Sequence, residues 1–563
     1  MISREELENA LRKAASAAVS ARKALDETRG PIAVVGVGLR LPGGAHDLAS
    51  LHEVLTSGRD LVRPIPSERF DLTSRYHPDP DHPGTTYVQH AYLLDDVRGF
   101  DAALFGISPR EAQTMDPQHR LLLESSWTAL EHAGFDVRSL EGSSTGIFVG
   151  IGPNEYARYR GRKLEHADAY DVTGSHPAFA AGRLSYHLGL RGPAMALDTA
   201  CSSSLVAIHL ACEHLRHQRC SLALAAGVQV IADPDVFCAL SKTRALAQDG
   251  RCKTFSDDAD GYGRGEGVGV LALMRLNDAQ AQGRRILGLV RGTAVGHDGR
   301  SAGITAPNGT AQREVLEYAL QNAGLTSADV DYVECHGTGT SLGDPLELTA
   351  LDAVYGQKRS PQNPLAIGAA KTNIGHLESA AGIAGVLKVL ASLHHSELPP
   401  SLHCEELNAK IDWPSLNLTV SRHKQPWLPV KDRPRRAGVS AFGLSGTNAH
   451  IIVEEAPAAA PQKDNAAWTA AEITLSAHTA DALRSQARQL SRELVANPVR
   501  LGDLAARLAA KTKLGARLGI VASSSDANAG YPTLSKALKR FASNGSNDAS
   551  FLYAEPSKQT GKL

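Results

Sequence analysis

Asp198-Thr-Ala-Cys201-Ser-Ser-Ser-Leu-Val-Ala-Ile-His-Leu-Ala211 sets a cysteine where a short strand gives way to a helix. Upstream, residues 195–197 are a short apolar run. Downstream, Leu205, Val206, Ile208 and Leu210, with small residues between them, predict a buried, mostly apolar helix. Cys201 then falls at the first turn of that helix. Free amide N–H groups and the helix dipole favour an anion there, and such surroundings bring a thiol from about 8.5 down to roughly 3.5–7.5. A lone cysteine is otherwise a small buried hydrophobe, so the reading depends on what accompanies it.

Two histidine stretches far down the chain accompany it: Glu334-Cys-His336-Gly-Thr-Gly-Thr340 and Lys371-Thr-Asn-Ile-Gly-His376-Leu-Glu378. A strand over residues 330–335 that delivers His336 into a Gly/Thr turn aims an imidazole while leaving room for a ligand's backbone. Any one of the 22 histidines is weak evidence. The cysteine and both histidine stretches together describe a site.

These stretches form a set with Met115-Asp-Pro-Gln-His-Arg-Leu-Leu-Leu-Glu-Ser-Ser-Trp127 and Ala441-Phe-Gly-Leu-Ser-Gly-Thr-Asn-Ala-His450. The set closely resembles the β-ketoacyl synthase of modular type I polyketide synthases, from about Pro31 to Glu455. The resemblance implies a dimeric, thiolase-like, duplicated αβαβα sandwich with halves at about 31–285 and 286–455, and decarboxylative Claisen condensation. It casts Cys201 as nucleophile, the backbone N–H groups of Cys201 and Phe442 as the oxyanion hole, and His336 and His376 as donors to the extender thioester carbonyl. Lys371 and Glu378 would orient His376, a surface ion pair being the alternative. Thr338 and Thr340 would bind pantetheine amides, with turn capping as the alternative. No cofactor or metal is expected on the chain, because substrates ride on the phosphopantetheine of acyl carrier proteins. Two departures from the family pattern stand out: Gly296-His297 replaces the commoner Asn-Gln, and Cys335 precedes His336 where alanine is usual.

The length, 563 residues, exceeds one ordinary core and predicts three units. A formal net charge of −1 offers no field to draw the chain to nucleic acid or an anionic membrane. Seven cysteines, an odd count with no C-x-x-C pair, argue against both a zinc site and a disulfide framework and for a reducing cytoplasm. The N-terminus lacks the order of a signal peptide, and no apolar run approaches about 18 residues.

Residues 1–30 read as one helix. Ser3 and Glu6 form a capping box, Leu7, Leu11, Ala14, Ala18, Ala21 and Leu25 form a heptad seam, and Gly30-Pro31 stops it. The family resemblance makes it a docking helix for an upstream synthase polypeptide. Gly36-x-Gly38 lacks the third glycine of a dinucleotide site. Residues 286–295 open a second strand-rich half, whose Lys371 to His376 segment runs into a small-residue helix over 380–393. This echoes the Cys201 segment and suggests an internal duplication.

After Glu455 comes Ala456-Pro-Ala-Ala-Ala-Pro, a linker by composition. Residues 456–563 then read as a small α/β unit with strands at 472–476, 517–523 and 550–554 and helices at 479–495, 502–511 and 533–542, resembling the domain between ketosynthase and acyltransferase. No G-H-S-x-G elbow occurs, so an acyltransferase is expected downstream or in trans. Lys431, Arg433, Arg435 and Arg436 are a candidate patch for an acidic carrier domain. Rival readings narrow on residues. A thiolase needs a second cysteine beyond Cys404, a coenzyme A-primed synthase carries Asn in place of His376, and a loading domain replaces Cys201. A non-elongating, gating synthase or a docking scaffold stays open.

Overall fold

The structure, a computed structural model, describes residues 30–159, 168–458, 470–496, 500–509, 511–523, 525–526, 531–544 and 552–554. The docking helix expected over residues 1–30 lies outside them except for Gly30. The chain forms two compact units, one from residues up to Phe100, Arg110–Ala129 and Gly142–Pro457, the other from Asp101–Pro109, Leu130–Glu141 and Ala458 onward. The C-terminal unit thus takes in two earlier segments that the expected 456–563 boundary left out.

The first half of the large unit supplies β1 (Ile32–Arg40), α1 (Pro117–His132), β2 (Gly146–Ile151), β3 (Ala194–Leu197), α2 (Ser203–Arg216), β4 (Ala223–Gln229) and β5 (Gly267–Arg275). The second supplies β6 (Gly288–His297), α3 (Gly309–Ala323), β7 (Tyr332–Glu334), α4 (Gly343–Leu351), β8 (Leu365–Gly368), α5 (Ala381–His395), β9 (Leu418–Val420), β10 (Arg436–Phe442) and β11 (Thr447–Glu454). The strands lie in the order β9-β8-β7-β10-β11-β6-β1-β5-β4-β2-β3. Setting aside β9, an extra outer strand of the second half, number the five strands of each half by sequence and both read third-second-fourth-fifth-first. Directions repeat too: second runs parallel to third and fourth, while fourth–fifth and fifth–first are antiparallel. The duplication suggested by two echoing segments is therefore a duplication of topology. The halves are joined through three β1–β6 pairs, Ile32↔Val290, Ala33↔Leu289 and Val34↔Gly288.

The helices explain why so many small residues were needed. α2 touches β2 and β4 of its own half and β6 and β11 of the other; α5 touches β10 and, across, β4 and β5; α2 and α5 touch each other. Every residue from 381 to 393 is buried. A Cβ added to Gly382 would lie 2.5 Å from Leu205 Cγ, and one on Gly227 2.5 Å from Ser204 Cβ, so larger residues would push helix from sheet. Outside, α1 lies on β1 and α3 on β6 and β11. The layers are α, β, α, β, α. Among the described residues no helix is long and apolar enough to cross a membrane.

In the small unit, β12 (Ala470–Ala477), β13 (Ala516–Ser523) and β14 (Leu552–Ala554) form an antiparallel sheet in that order. α6 (Ala480–Ala496), α7 (Leu501–Ala509) and α8 (Pro532–Asn544) pack on it. Alternate residues Ala471, Ile473, Leu475 and Ala477 face its core, the period-two pattern of a half-buried strand.

Candidate active site

The turn after β3 is built from its own side chains. Asp198 accepts the Ala200 N–H at 2.9 Å, Ser203 Oγ accepts the Thr199 N–H at 2.9 Å, and the Ser202 and Ser203 hydroxyls donate to the carbonyls of Thr199 and Ala200 at 2.9 and 2.6 Å. Ala200 is held at φ +56°, a left-handed conformation that costs a non-glycine residue about 1 kcal/mol or more. Cys201 stands just ahead of α2, which begins at Ser203, not within its first turn. The expected depressed thiol is corrected. Burial pushes Cys201 up to about 11, the Glu378 charge adds to it, and the Leu444 N–H, the Lys371 ammonium and the cysteine's own N–H pull the other way without prevailing.

His336 follows β7 on a loop held by two acids. Glu347 accepts the N–H groups of His336 and Gly337 at 2.7 and 2.8 Å, and Asp344 those of Phe255 and Gly339 at 2.8 and 3.1 Å. Burial lifts these carboxyls to about 7 and about 6. Thr338 and Thr340 sit on the same loop with hydroxyls 3.3 Å apart, and Thr340 Oγ1 also accepts the Gly343 N–H at 3.2 Å.

The rings of His336 and His376 meet edge to face, centroids 5.6 Å apart. His336 Nδ1 accepts the Phe442 N–H at 3.4 Å and His376 Nδ1 the Glu378 N–H at 3.0 Å. An amide can only donate, so each neutral ring carries its proton on Nε2. His376 Nε2 is buried without a hydrogen-bond partner among the described residues. Burial first, then the charge of Lys371, hold both imidazoles well below 6.5. The pair presents two N–H donors and no charge.

Three assignments change. Gly443 gives its N–H to Thr447 O at 2.7 Å, so in the alternation of β10 the Phe442 N–H faces the other way, past the end of β7, and is taken by His336. The N–H groups of Leu444 and of Cys201 itself pull the thiol's pKa down. Leu444 sits in the turn of residues 443–446, which presses on the cysteine turn so closely that a Cβ on Gly443 would lie 2.3 Å from Thr199 O. Second, Glu378 does not pair with Lys371 at the surface. Its carboxylate takes Arg264 at 2.6 and 3.0 Å, and only its backbone orients His376. Arg264 is fully buried, pairs also with Glu155 at 2.6 Å and lies 4.8 Å over the Phe237 ring; Lys371 is itself buried. Third, the three arginines of the basic run are committed internally: Arg433 to Asp331 at 2.6 Å, Arg435 to Glu455 at 2.5 Å and Arg436 to Glu454 at 2.6 Å.

Sequence reasoning passed over Asp344, Glu347, Arg264, Glu155 and Leu444. Gly343-Asp344-Pro-Leu-Glu347, two acids at a helix start right after the His336 turn, was an available signal. Among the described residues no group of three or more His, Cys, Asp or Glu side chains could hold a metal.

The family model described as "Beta-ketoacyl synthase, N-terminal domain" matches residues 29–279, its C-terminal counterpart 287–405, and "Ketoacyl-synthetase C-terminal extension" 408–513. The phenolphthiocerol synthesis polyketide synthase type I Pks15/1 of Mycobacterium bovis is 49% identical over 497 residues, covering 84% of this chain and 23% of its own length. Erythronolide synthase EryA2 of Saccharopolyspora erythraea is 49% identical over 486 residues, covering 86% and 13%. The chain thus spans a quarter or less of these relatives. Among solved structures, the oxazolomycin ketosynthase domain OzmH KS7 of Streptomyces albus superposes with a TM-score of 0.87 at 38% identity, covering 95% of this chain and 92% of that one. The ketosynthase from module 6 of the bacillaene synthase of Bacillus subtilis gives 0.83 at 35%, covering 93% and 87%. With the duplicated five-layer topology and the Cys201, His336 and His376 stretches in their family order, the chain belongs to the β-ketoacyl synthases of modular polyketide synthases and has their thiolase-like fold.

Proposed function

We propose that this chain elongates a polyketide by decarboxylative condensation. The observation that carries the reading is the pair of neutral, Nε2-protonated imidazoles, their centroids 5.6 Å apart, with the turn of residues 443–446 pressed against the cysteine turn. In the first step the Cys201 sulfur attacks an acyl-carrier thioester. The tetrahedral oxygen is held by the N–H groups of Cys201 and Leu444, the carrier thiol leaves with the proton, and acyl-Cys201 remains. In the second, a malonyl-type extender on a carrier breaks its bond to the carboxylate. CO2 leaves, and the electron pair forms an enolate whose oxygen accepts from Nε2 of His336 and His376. The enolate carbon attacks the acyl carbon, the Cys201 thiolate departs, and a β-ketoacyl carrier is released. Neutral donors suit this work, since an imidazolium would hold the extender carboxylate in place.

Thr338 and Thr340 would meet the pantetheine amides at the mouth of the site. Acyl carrier domains, an upstream polypeptide docked through residues 1–30 and an acyltransferase downstream or in trans are the partners this activity needs, in the cytoplasm, with no cofactor on the chain itself and no nucleic-acid or membrane partner. A homodimer is supported by β3: it is the outermost strand of its half, and its first two residues are exposed, Met195 by 40%. An open apolar edge of that kind is a template for a second copy.

Intact-protein mass spectrometry tests the reading. Acyl from a carrier thioester is expected on Cys201, vanishing on addition of malonyl-carrier as an extended β-ketoacyl appears on that carrier. Acyl that loads and only returns would make this a gating synthase.

A further inference from the structure

β6 ends in His297, an exposed residue outside the catalytic set. Its Nε2 lies 3.0 Å from the carbonyl of Ser445, and its Nδ1 accepts the Gly299 N–H at 3.0 Å. A carbonyl only accepts and an amide only donates, so the partners fix the ring as neutral with its proton on Nε2. The imidazole therefore bridges two loops with a defined direction at each end.

One of those loops is the turn of residues 443–446. It is closed by the Gly446 N–H on Gly443 O at 2.8 Å, with Gly446 at φ +89°. The His297 ring packs on that glycine: a Cβ there would sit 3.0 Å from Cε1. A second tie runs alongside, with the Asp298 N–H on Gly446 O at 2.9 Å, Asn448 Nδ2 on the Asp298 carboxylate at 2.7 Å and Asn308 Nδ2 on the Asp298 carbonyl at 2.9 Å. The backbone tie holds the end of the turn. His297 holds the Ser445 carbonyl, next to Leu444, whose N–H pulls the Cys201 thiol's pKa down.

We propose that His297 is a positioning residue for acyl transfer, orienting the Leu444 N–H through the Ser445 carbonyl. The inference rests on the acyl-transfer reading above. Rotation of the turn would carry the Leu444 N–H off the thioester oxygen, and errors of about 1 Å in such geometry cost up to about a hundredfold in rate.

The test measures single-turnover acylation of Cys201 by a hexanoyl N-acetylcysteamine thioester in wild type, His297→Ala and His297→Gln, beside alkylation of Cys201 by iodoacetamide, which needs no oxyanion hole, and the melting temperature. Expected for His297→Ala is acylation slowed about tenfold or more, alkylation within about twofold and melting unchanged. Glutamine, which can both donate and accept, is expected to restore acylation to within about threefold. Acylation of His297→Ala at the wild-type rate, an equal fall in alkylation, or a glutamine variant as slow as alanine would each overturn the proposal. A wild type that is not acylated would instead sink the acyl-transfer reading, and this inference with it.

Discussion

Between β3 and α2 the chain uses residues 198–202; between β8 and α5, at the same place in the repeated topology, it uses residues 369–380. The short connection is part-exposed and carries Cys201. The long one is buried almost throughout, coils into a helical turn at Lys371–Ile374 and delivers His376. The strands differ in the same sense. β8 is covered on its outer side by β9, Leu365 pairing with Leu418, while β3 is left as the edge. On the proposed function, one copy of the duplicated step faces outward and would offer a nucleophile, and the other is sealed and would offer a hydrogen-bond donor. The same topology would then be divided between covalent chemistry and electrostatics.

The largest effect should come from breaking that division on each side. Cys201→Ala is expected to abolish acyl loading, a loss of at least about a thousandfold, since it removes the nucleophile. His376→Ala or His336→Ala should load acyl and fail to condense. Intact-mass detection of acyl on Cys201→Ala, or failure of both histidine variants to load, would erase the contrast between the halves.

Next in size are two of the buried cations. Arg264 serves Glu155 and Glu378, while Lys388 serves Glu334 at 2.7 Å, a carboxylate that also receives the Tyr332 hydroxyl at 2.8 Å and the Ala370 N–H at 2.6 Å. Arg264→Met takes the shared cation from two carboxylates at once, Glu378 and Glu155, the latter keeping the Ala232 and Asp233 N–H groups, and should cost about 3–5 kcal/mol. Lys388→Met strands one that keeps two donors, and should cost less, about 1–3 kcal/mol. Urea unfolding of the two variants gives the order directly, and a larger loss for Lys388→Met would contradict it.

The open edge gives a smaller effect. Across a two-fold axis Met195→Lys brings like charges together, which should weaken a homodimer by about 3 kcal/mol, roughly a hundredfold in Kd. Sedimentation should show monomer at concentrations where wild type is dimeric, with Leu418→Lys on the covered side changing stability but not assembly. A dimer untouched by Met195→Lys would move the interface elsewhere.

What the sequence disclosed was local. A small-residue, mostly apolar run such as 380–393, with Lys388 and Ser392 its polar members, reads as a buried helix, and the strand, turn and helix around Cys201 follow from the order of residue types. What it withheld depends on where elements end relative to one another. Phe442 and Leu444 are equally plausible donors until β10 is seen to outrun β7, leaving the Phe442 N–H to His336. Glu378 and Lys371 look like partners until Arg264, buried ahead of β5 and pairing with acids of both halves, is found holding the carboxylate. β9, only Leu-Thr-Val, is too short to announce itself, and with it the asymmetry of the two edges was invisible.

The thiol itself gives the last and smallest step. With Cys201 raised to about 11 by burial, the thiolate is about one part in 10⁴ at pH 7 and grows tenfold per unit of pH while the thiol form dominates. Alkylation by iodoacetamide, followed by mass on Cys201 with Cys201→Ala as blank, should therefore rise with unit logarithmic slope from pH 6 to 9. The imidazoles of His336 and His376, already neutral above their lowered pKa values, should add no inflection in that window. A thiol governed by the helix terminus alone would instead plateau above about pH 7.5. Unit slope places the activation of the nucleophile in the acyl-carrier complex, where the oxyanion donors and the leaving thiol share the proton's departure. A plateau would return it to the resting enzyme and make the exposed half of the duplication electrostatic as well.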